Sequence, residues 1–244
     1  MIKQDEFISL LTATFNRSGL GKLLSHERAL AFYKLTELML VENEKYNLTA
    51  IVEPEKIILS HYADSAVLAL KLPRGGSVID VGCGAGFPTL PLAILRDDLT
   101  ITAMDSTAKR VDYVRMAADA LGLRNVRTVT MRAEDGGRDP SMREKFDTAT
   151  ARAVAELRIL AELCLPFVKR GGSFIAMKGK NAEFELSGAK RAIAMLGGRE
   201  PTVEEVKLTS QSETLTHPLI MVKKGERTPD KYPRPYAQIS KKPL

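Results

Sequence analysis

The sequence predicts an α/β protein: a doubly wound, mostly parallel seven-stranded sheet with an N-terminal helical extension. Three observations predict it. Short apolar strand-like segments alternate with helical ones from residue 77 onward, and such alternation with short connections builds a parallel sheet with helices on both faces. No convincing strand precedes residue 76. The last two strand-like segments follow each other without a helix, which makes them an antiparallel hairpin.

The elements follow in order. "LSHERALAFYKLTELMLVENEKYN" keeps Leu30, Phe32, Tyr33, Leu35, Leu38 and Met39 at helical spacing, and Asn47 ends that helix. "EPEKIILSHYADSAVLALKL" starts another, with Pro54 near its first turn. "SVIDVG" (77–82) is the first strand, and Pro88 opens a short helix. "LTITAMD" (99–105) is the second strand, followed by a helix over 107–123 closed by Gly122. "VRTVTMR" (126–132) is the third strand. A polar loop leads to the fourth, "FDTATAR" (146–152). A helix spans "AVAELRILAELCLPFVK", "GSFIAMKG" (172–179) is the fifth strand, and "AEFELSGAKRAIAMLGG" is helical. "TVEEVKLTS" and "HPLIMVKK" complete the sheet. Three regions result: a helical extension (1–72), the sheet domain (73–224) and a basic tail (225–244).

Composition narrows the class. A chain of 244 residues, 44% of them hydrophobic, buries one large core. No apolar run approaches the roughly 20 residues that span a bilayer, and "MIKQDEFISLL" carries acids where a signal peptide has its apolar region. Cys83 and Cys164 have no metal spacing and suggest no disulfide framework. A cytoplasmic protein is expected, and nothing demands a dimer. The net charge of +6 is concentrated: residues 223–244 hold seven basic and two acidic residues, with Tyr232 and Tyr236 among them. Cations interleaved with aromatics suit a polyanion such as nucleic acid; a solvated tail with no partner is the plainer reading.

"VIDVGCGAGFP" carries the chemistry. In a doubly wound sheet the ligand lies beyond the carboxyl ends of the strands. Gly82, Gly84 and Gly86 stand there, at the end of the first strand, and permit close ligand approach. A lone glycine-rich loop is weak, because nicotinamide and flavin folds use one too. Asp105, ending the second strand, suits ribose hydroxyls in either class. Three features separate the classes: Phe87 follows Gly86 directly, so the third glycine of G-x-G-x-x-G is missing; Asp80 precedes the loop by two residues; and "RAED", with Glu134 placed to hold an adenine, stands between strands three and four. Together these resemble the class I (Rossmann-like) S-adenosylmethionine-dependent methyltransferases. That resemblance implies a nucleoside cofactor without pyrophosphate. It leaves Asp80 two roles, a carboxylate near the cationic end of the cofactor or a cap on loop amides.

The acceptor is narrowed by exclusion. The Asn/Asp-Pro-Pro-aromatic loop common in amino-group methylation of adenine is replaced by "ATARAVAEL". Methylation at pyrimidine C5 needs a cysteine nucleophile, and Cys83 sits in the cofactor loop while Cys164 reads as core. A ring nitrogen such as guanine N7 has a free lone pair and no proton to lose, so it needs only placement in line with the methyl. With "EKYNLTAI", "HYADS", "DVGCGAGFPTLPLAI", "RAEDGG…FDTATARAVAEL", "AMKGK" and "YPRPYAQISKKPL", the chain is similar to the bacterial ribosomal small-subunit methyltransferase G family, also called glucose-inhibited division protein B. Cys83, Thr89 and Asp105 depart from that family's more frequent Ser/Thr, Gly and Glu.

The resemblance implies transfer of a methyl from S-adenosylmethionine to N7 of one guanine in 16S ribosomal RNA, free or within a small-subunit particle. It puts Gly82 and Phe87 on the cofactor, Ala133 and Glu134 around the adenine, Arg152 beside the reaction site, and "NLT" with "HYADS" over it. Each polar residue has a plainer alternative. Arg152 either holds the methionine carboxylate or an RNA phosphate, or pairs with a structural acid such as Glu156. His61 and Asp64, three apart on a helix face, either meet the guanine or RNA, or only pack. Lys178 either meets a phosphate or reaches solvent. Asn47 and Thr49 also fit helix caps. A small-molecule methyltransferase is the second reading, and a non-catalytic RNA-binding factor the third; the intact loop argues against the third.

Overall fold

The computed structural model describes residues 2–152, 154–179 and 181–244. Helices α1 (Gln4–Arg17) and α2 (His26–Tyr46) form the N-terminal layer. The Ser25 hydroxyl caps α2 by accepting the Arg28 amide at 3.2 Å, and Asn47 ends it in the left-handed region. Pro54 then opens a second helical run: α3 (Pro54–Ile57), a π-helical stretch (Ile58–Ala63) and α4 (Asp64–Ala69).

The sheet follows as β1 (Ser77–Val81), α5 (Thr89–Leu95), β2 (Thr100–Asp105), α6 (Ala108–Leu121), β3 (Val126–Thr130), α7 (Ala133–Gly136), β4 (Phe146–Arg152), α8 (Leu157–Cys164), β5 (Val168–Met177), α9 (Ala182–Met195), β6 (Thr202–Thr209) and β7 (Thr214–Lys223), with α10 (Tyr236–Lys241) last. The seven strands lie in the order β3-β2-β1-β4-β5-β7-β6. The first five are parallel; β7 runs antiparallel to both β5 and β6. The doubly wound sheet is therefore present, closed by the expected hairpin. The order reverses between β1 and β4, and the crevice beyond their carboxyl ends is where this architecture binds ligands.

Some boundaries differ from the sequence reading. The helix expected through Lys169 is only α8 with a 3₁₀ turn at Leu165–Phe167, and β5 starts at Val168 rather than Gly172. Pro166 has no N–H to continue the α-helix. The polar loop after β3 contains a helical turn, α7.

Two cores sandwich the sheet. One joins Phe7, Phe15, Phe32 and Tyr62 of the N-terminal helices to Leu90, Val114 and Ile101, so the extension shares its core with the sheet. The other joins α8, α9 and the tail residues Tyr232 and Ile239. No helix among the described residues is long and apolar enough to cross a membrane.

The sequence left open whether the basic tail folds onto the body, and two of its cations do. Lys224 is buried, donating to the Leu165 carbonyl at 2.6 Å and the Thr228 hydroxyl at 2.5 Å; burial lowers its pKa to about 8. Arg234 forms a two-pronged ion pair, 2.8 and 2.6 Å, with fully buried Glu162. Arg227 pairs with Asp230 at 3.1 Å. Lys223, Lys231, Lys241 and Lys242 remain exposed. Lys224 and Arg234 therefore fasten the tail to the body, while the four exposed lysines remain free of it.

Candidate active site

A cavity of about 440 Å³ opens beyond the ends of β1, β2 and β4, a size suited to a small ligand. Its floor is backbone. The amides of Gly82 and Cys83 both bond the Met104 carbonyl, at 2.8 and 2.9 Å, drawing the loop across the end of β2. Gly82, Gly84 and Gly86 have φ of 78°, 54° and 81°, the left-handed region that side chains rarely adopt. A Cβ on Gly82 would stand 2.7 Å from Val154 Cγ2, whereas one on Gly84 would meet only the Gly82 carbonyl, 3.9 Å away. The space over Gly84 is thus open. Asp105 accepts the Gly84 amide at 3.1 Å through Oδ2 and the Thr107 amide at 2.9 Å through Oδ1. A carboxylate has roughly four acceptor sites, so Asp105 retains capacity for a ligand hydroxyl. Ala133 and Glu134, at the start of α7, form a further wall with Met131 and Arg132. These residues fit a nucleoside cofactor: a glycine cradle, an acid at the second strand's end, and an apolar wall beyond it.

Two expected cofactor residues lie outside the cavity wall. Gly86 turns the chain against Leu90, whose Cδ1 would lie 2.6 Å from a Cβ there. Asp80 is buried beneath the loop, and its Oδ2 accepts the Thr89 hydroxyl at 2.7 Å. Thr89, at the start of α5, is its hydrogen-bond partner in the structure. Burial raises its pKa to about 6, and Oδ1 has no protein partner.

The other side of the cavity is made of side chains. Arg152, ending β4, donates Nη1 to the Ser60 carbonyl at 2.8 Å and to Asp64 Oδ2 at 3.1 Å. Its Nη2 lies 3.3 Å from His61 Nδ1. A guanidinium only donates, so Nδ1 is the acceptor, and the imidazole proton sits on Nε2, 3.1 Å from Thr49 Oγ1. His61 stacks on Phe87 with ring centres 4.3 Å apart, and the Arg152 guanidinium lies 5.5 Å from the centre of the same ring. Burial and the Arg152 charge push the His61 pKa down to about 4, so the ring is neutral at pH 7. The π-helical stretch supplies Ser60 and His61; π-turns recur at functional sites because they re-aim backbone and side chains locally.

Arg152 therefore pairs with Asp64, not Glu156, which instead meets Arg158 at 3.0 Å. Asp64 lies behind Arg152 rather than on the cavity wall, and its Oδ1 is 2.6 Å from His217 Nε2 on β7. Neither of those two atoms makes an aligned hydrogen bond, so the contact is a close polar approach. Lys178 is also outside the cavity: it holds the Ala155 carbonyl at 2.8 Å and Glu185 at 2.7 Å, bracing the start of α8. Sequence reasoning missed His217 and Arg110, while Leu48 and Arg132 fall inside the "NLT" and "RAED" motifs it singled out. The signal for His217 was weak, a single His in "HPLIMVKK" remote in sequence from every motif. Cys83 lines the cavity and Cys164 is buried; burial pushes both thiols up, away from thiolate chemistry.

The chain is similar to known proteins along most of its length. The sequence pattern described as rRNA small subunit methyltransferase G matches residues 28–215. The "Ribosomal RNA small subunit methyltransferase G" of Clostridium beijerinckii is 46% identical over 98% of this chain and 99% of its own length. Its counterpart from Clostridium perfringens is 43% identical over 93% and 95%. Among solved structures, an O-methyltransferase from Bacillus cereus in complex with SAH superposes with a TM-score of 0.55 at 18% identity, covering 78% of this chain and 91% of that one. That last likeness concerns the fold.

Proposed function

The chain belongs to the rRNA small subunit methyltransferase G family, and from that premise we propose that it methylates N7 of one guanine in 16S ribosomal RNA. It is an S-adenosylmethionine-dependent methyltransferase. When bound, the cofactor supplies an electrophilic methyl on a positively charged sulfur. The observation that carries the proposal is the meeting of two unlike walls across one cavity, the glycine cradle and the Arg152–His61–Phe87 cluster.

The chain's residues divide the work. Gly82, Gly84 and Phe87 cradle the cofactor, Asp105 takes the ribose hydroxyls, and Ala133 with Glu134 holds the adenine. Asp80 and Gly86 support the loop from beneath, Asp80 through Thr89. Arg152, held by Ser60, Asp64 and His61, offers a fixed cation for the methionine carboxylate or an RNA phosphate. His61 is neutral and already hydrogen-bonded on both nitrogens, so its role is to orient Arg152 and stack on Phe87 rather than to remove a proton. Guanine N7 has no proton to remove, and placement alone supplies a large share of the rate, about 7–11 kcal/mol where alignment is complete. The two protonated thiols disfavour pyrimidine C5 as the acceptor. Lys178 acts indirectly, by bracing the segment after β4. The exposed tail lysines supply sequence-independent phosphate contacts. The enzyme works as a monomer in the cytoplasm.

The test is transfer of a labelled methyl from S-adenosylmethionine to naked 16S rRNA and to small-subunit particles. The proposal predicts label in 7-methylguanosine on one of the two. Absence of label from both would defeat it.

A further inference from the structure

One residue on the cavity wall comes from the far end of the chain. Tyr236, the first residue of α10, lines the cavity together with Met131, Ala133 and Leu163. Its ring is 39% exposed, so its side chain is not needed to fill a core. Its backbone is nevertheless fixed. Arg143 donates to the carbonyls of Thr228 and Tyr232 at 2.7 and 2.9 Å. Arg234, two residues before Tyr236, is clasped to buried Glu162 through side chain and backbone amide. Pro233 packs on Gly137, with its Cγ 3.0 Å from where a Cβ there would stand, and Ile239 is fully buried one turn beyond Tyr236. The tail is thus bolted on both sides of an exposed aromatic ring that faces ligand space.

We propose that Tyr236 packs its ring against the adenine of S-adenosylmethionine, making the C-terminal segment a wall of the cofactor site. The inference rests on the proposed assignment of the Ala133–Glu134 wall to the adenine. The chemistry is specific to that half of the ligand. Met131, Ala133 and Leu163 give an apolar slot, and an aromatic ring at its mouth offers a π-face that a purine uses and the amino-acid half of the cofactor does not.

The experiment is titration of the full chain with S-adenosylhomocysteine, and separately with 5′-methylthioadenosine, which keeps the adenine and lacks the amino acid. Tyr236→Ala should weaken both by about tenfold, the scale of one lost base–aromatic stack, while Tyr236→Phe stays within about twofold of the native protein. A second readout separates stacking from general loosening. The chain has no tryptophan and six tyrosines, so ligand binding should quench part of the tyrosine emission, and Tyr236→Phe should lose that part while keeping affinity. Equal affinities for Tyr236→Ala and the native chain would overturn the inference. Failure of the native chain to bind either ligand would instead strike the cofactor assignment itself.

Discussion

The two walls of the cavity are built by different means. On the proposed assignment the cofactor wall is local and made of backbone: Gly82 and Gly84 form it, Gly86 turns the loop from beneath, and all three lie within five residues at positive φ. The wall proposed to face the acceptor is assembled from afar. Arg152 comes from β4, His61 and Ser60 from the π-helical stretch, Thr49 from the loop before it, and His217 stands behind them on β7. A wall of backbone tolerates little change in conformation but asks for few residue identities. A wall of side chains holds one charge in place through several partners, so losses there should touch turnover before cofactor affinity.

The sharpest division is expected at Arg152. Arg152→Ala removes the fixed cation and should lower methyl transfer by about a hundredfold or more, the scale of one lost electrostatic donor; a change in S-adenosylhomocysteine affinity of less than about threefold assigns that cation to the RNA, and a larger loss assigns it to the methionine carboxylate. Equal losses in both, measured by steady-state transfer and calorimetry, would mean the two walls are one.

The next effect joins the walls through pH. Burial raises the Asp80 pKa from 3.8 to about 6. Its contribution to stability is fully present below about pH 4 and is lost as pH rises through about 6. His61 is shifted the other way, from 6.5 to about 4. Its contribution is present above about 6.5 and is lost as pH falls through about 4. The two oppose each other in one window, each worth about 3 kcal/mol by the size of its shift. Asp80→Asn should therefore make stability fall on acidification from pH 6.5 to 4, and His61→Gln should make it rise. Urea midpoints at three pH values read both slopes; unchanged slopes would contradict the burial of either group.

Gly82→Ala probes the cofactor wall alone. Positive φ costs a side chain about 1–2 kcal/mol, and Val154 must also move. Cofactor affinity should fall by about thirtyfold, with the Asp64–Arg152 contacts unaltered. The smallest effect belongs to His217, which touches no ligand space. His217→Asn should lower turnover by about fivefold at unchanged cofactor affinity, since it positions Asp64, which positions Arg152. A change in cofactor affinity as large as that in turnover would remove His217 from that line.

The same contrast explains what the sequence could tell. Strand alternation and the positions of Asn47, Pro54, Pro88 and Gly122 marked the fold because each acts through local backbone chemistry. The glycine loop was legible for the same reason. The partners of Arg152 were not: Glu156 was the near acid, yet Asp64 is the contact, because the chain brings the π-helical stretch back over β4. The tail's conformation was left open by the sequence. Its composition counts charges, but Glu162, which captures Arg234, lies in α8 and is invisible to any count made within the tail. Asp80 was rightly singled out beside the loop, but its partner Thr89 is a residue whose hydroxyl composition alone does not assign.

The most direct measurement of the central claim is mass mapping of modified nucleosides in small-subunit rRNA from cells with and without this protein. The account predicts that one 7-methylguanosine disappears without it, returns with the native chain and does not return with Arg152→Ala. An unchanged set of rRNA modifications in cells lacking the protein would contradict the claim.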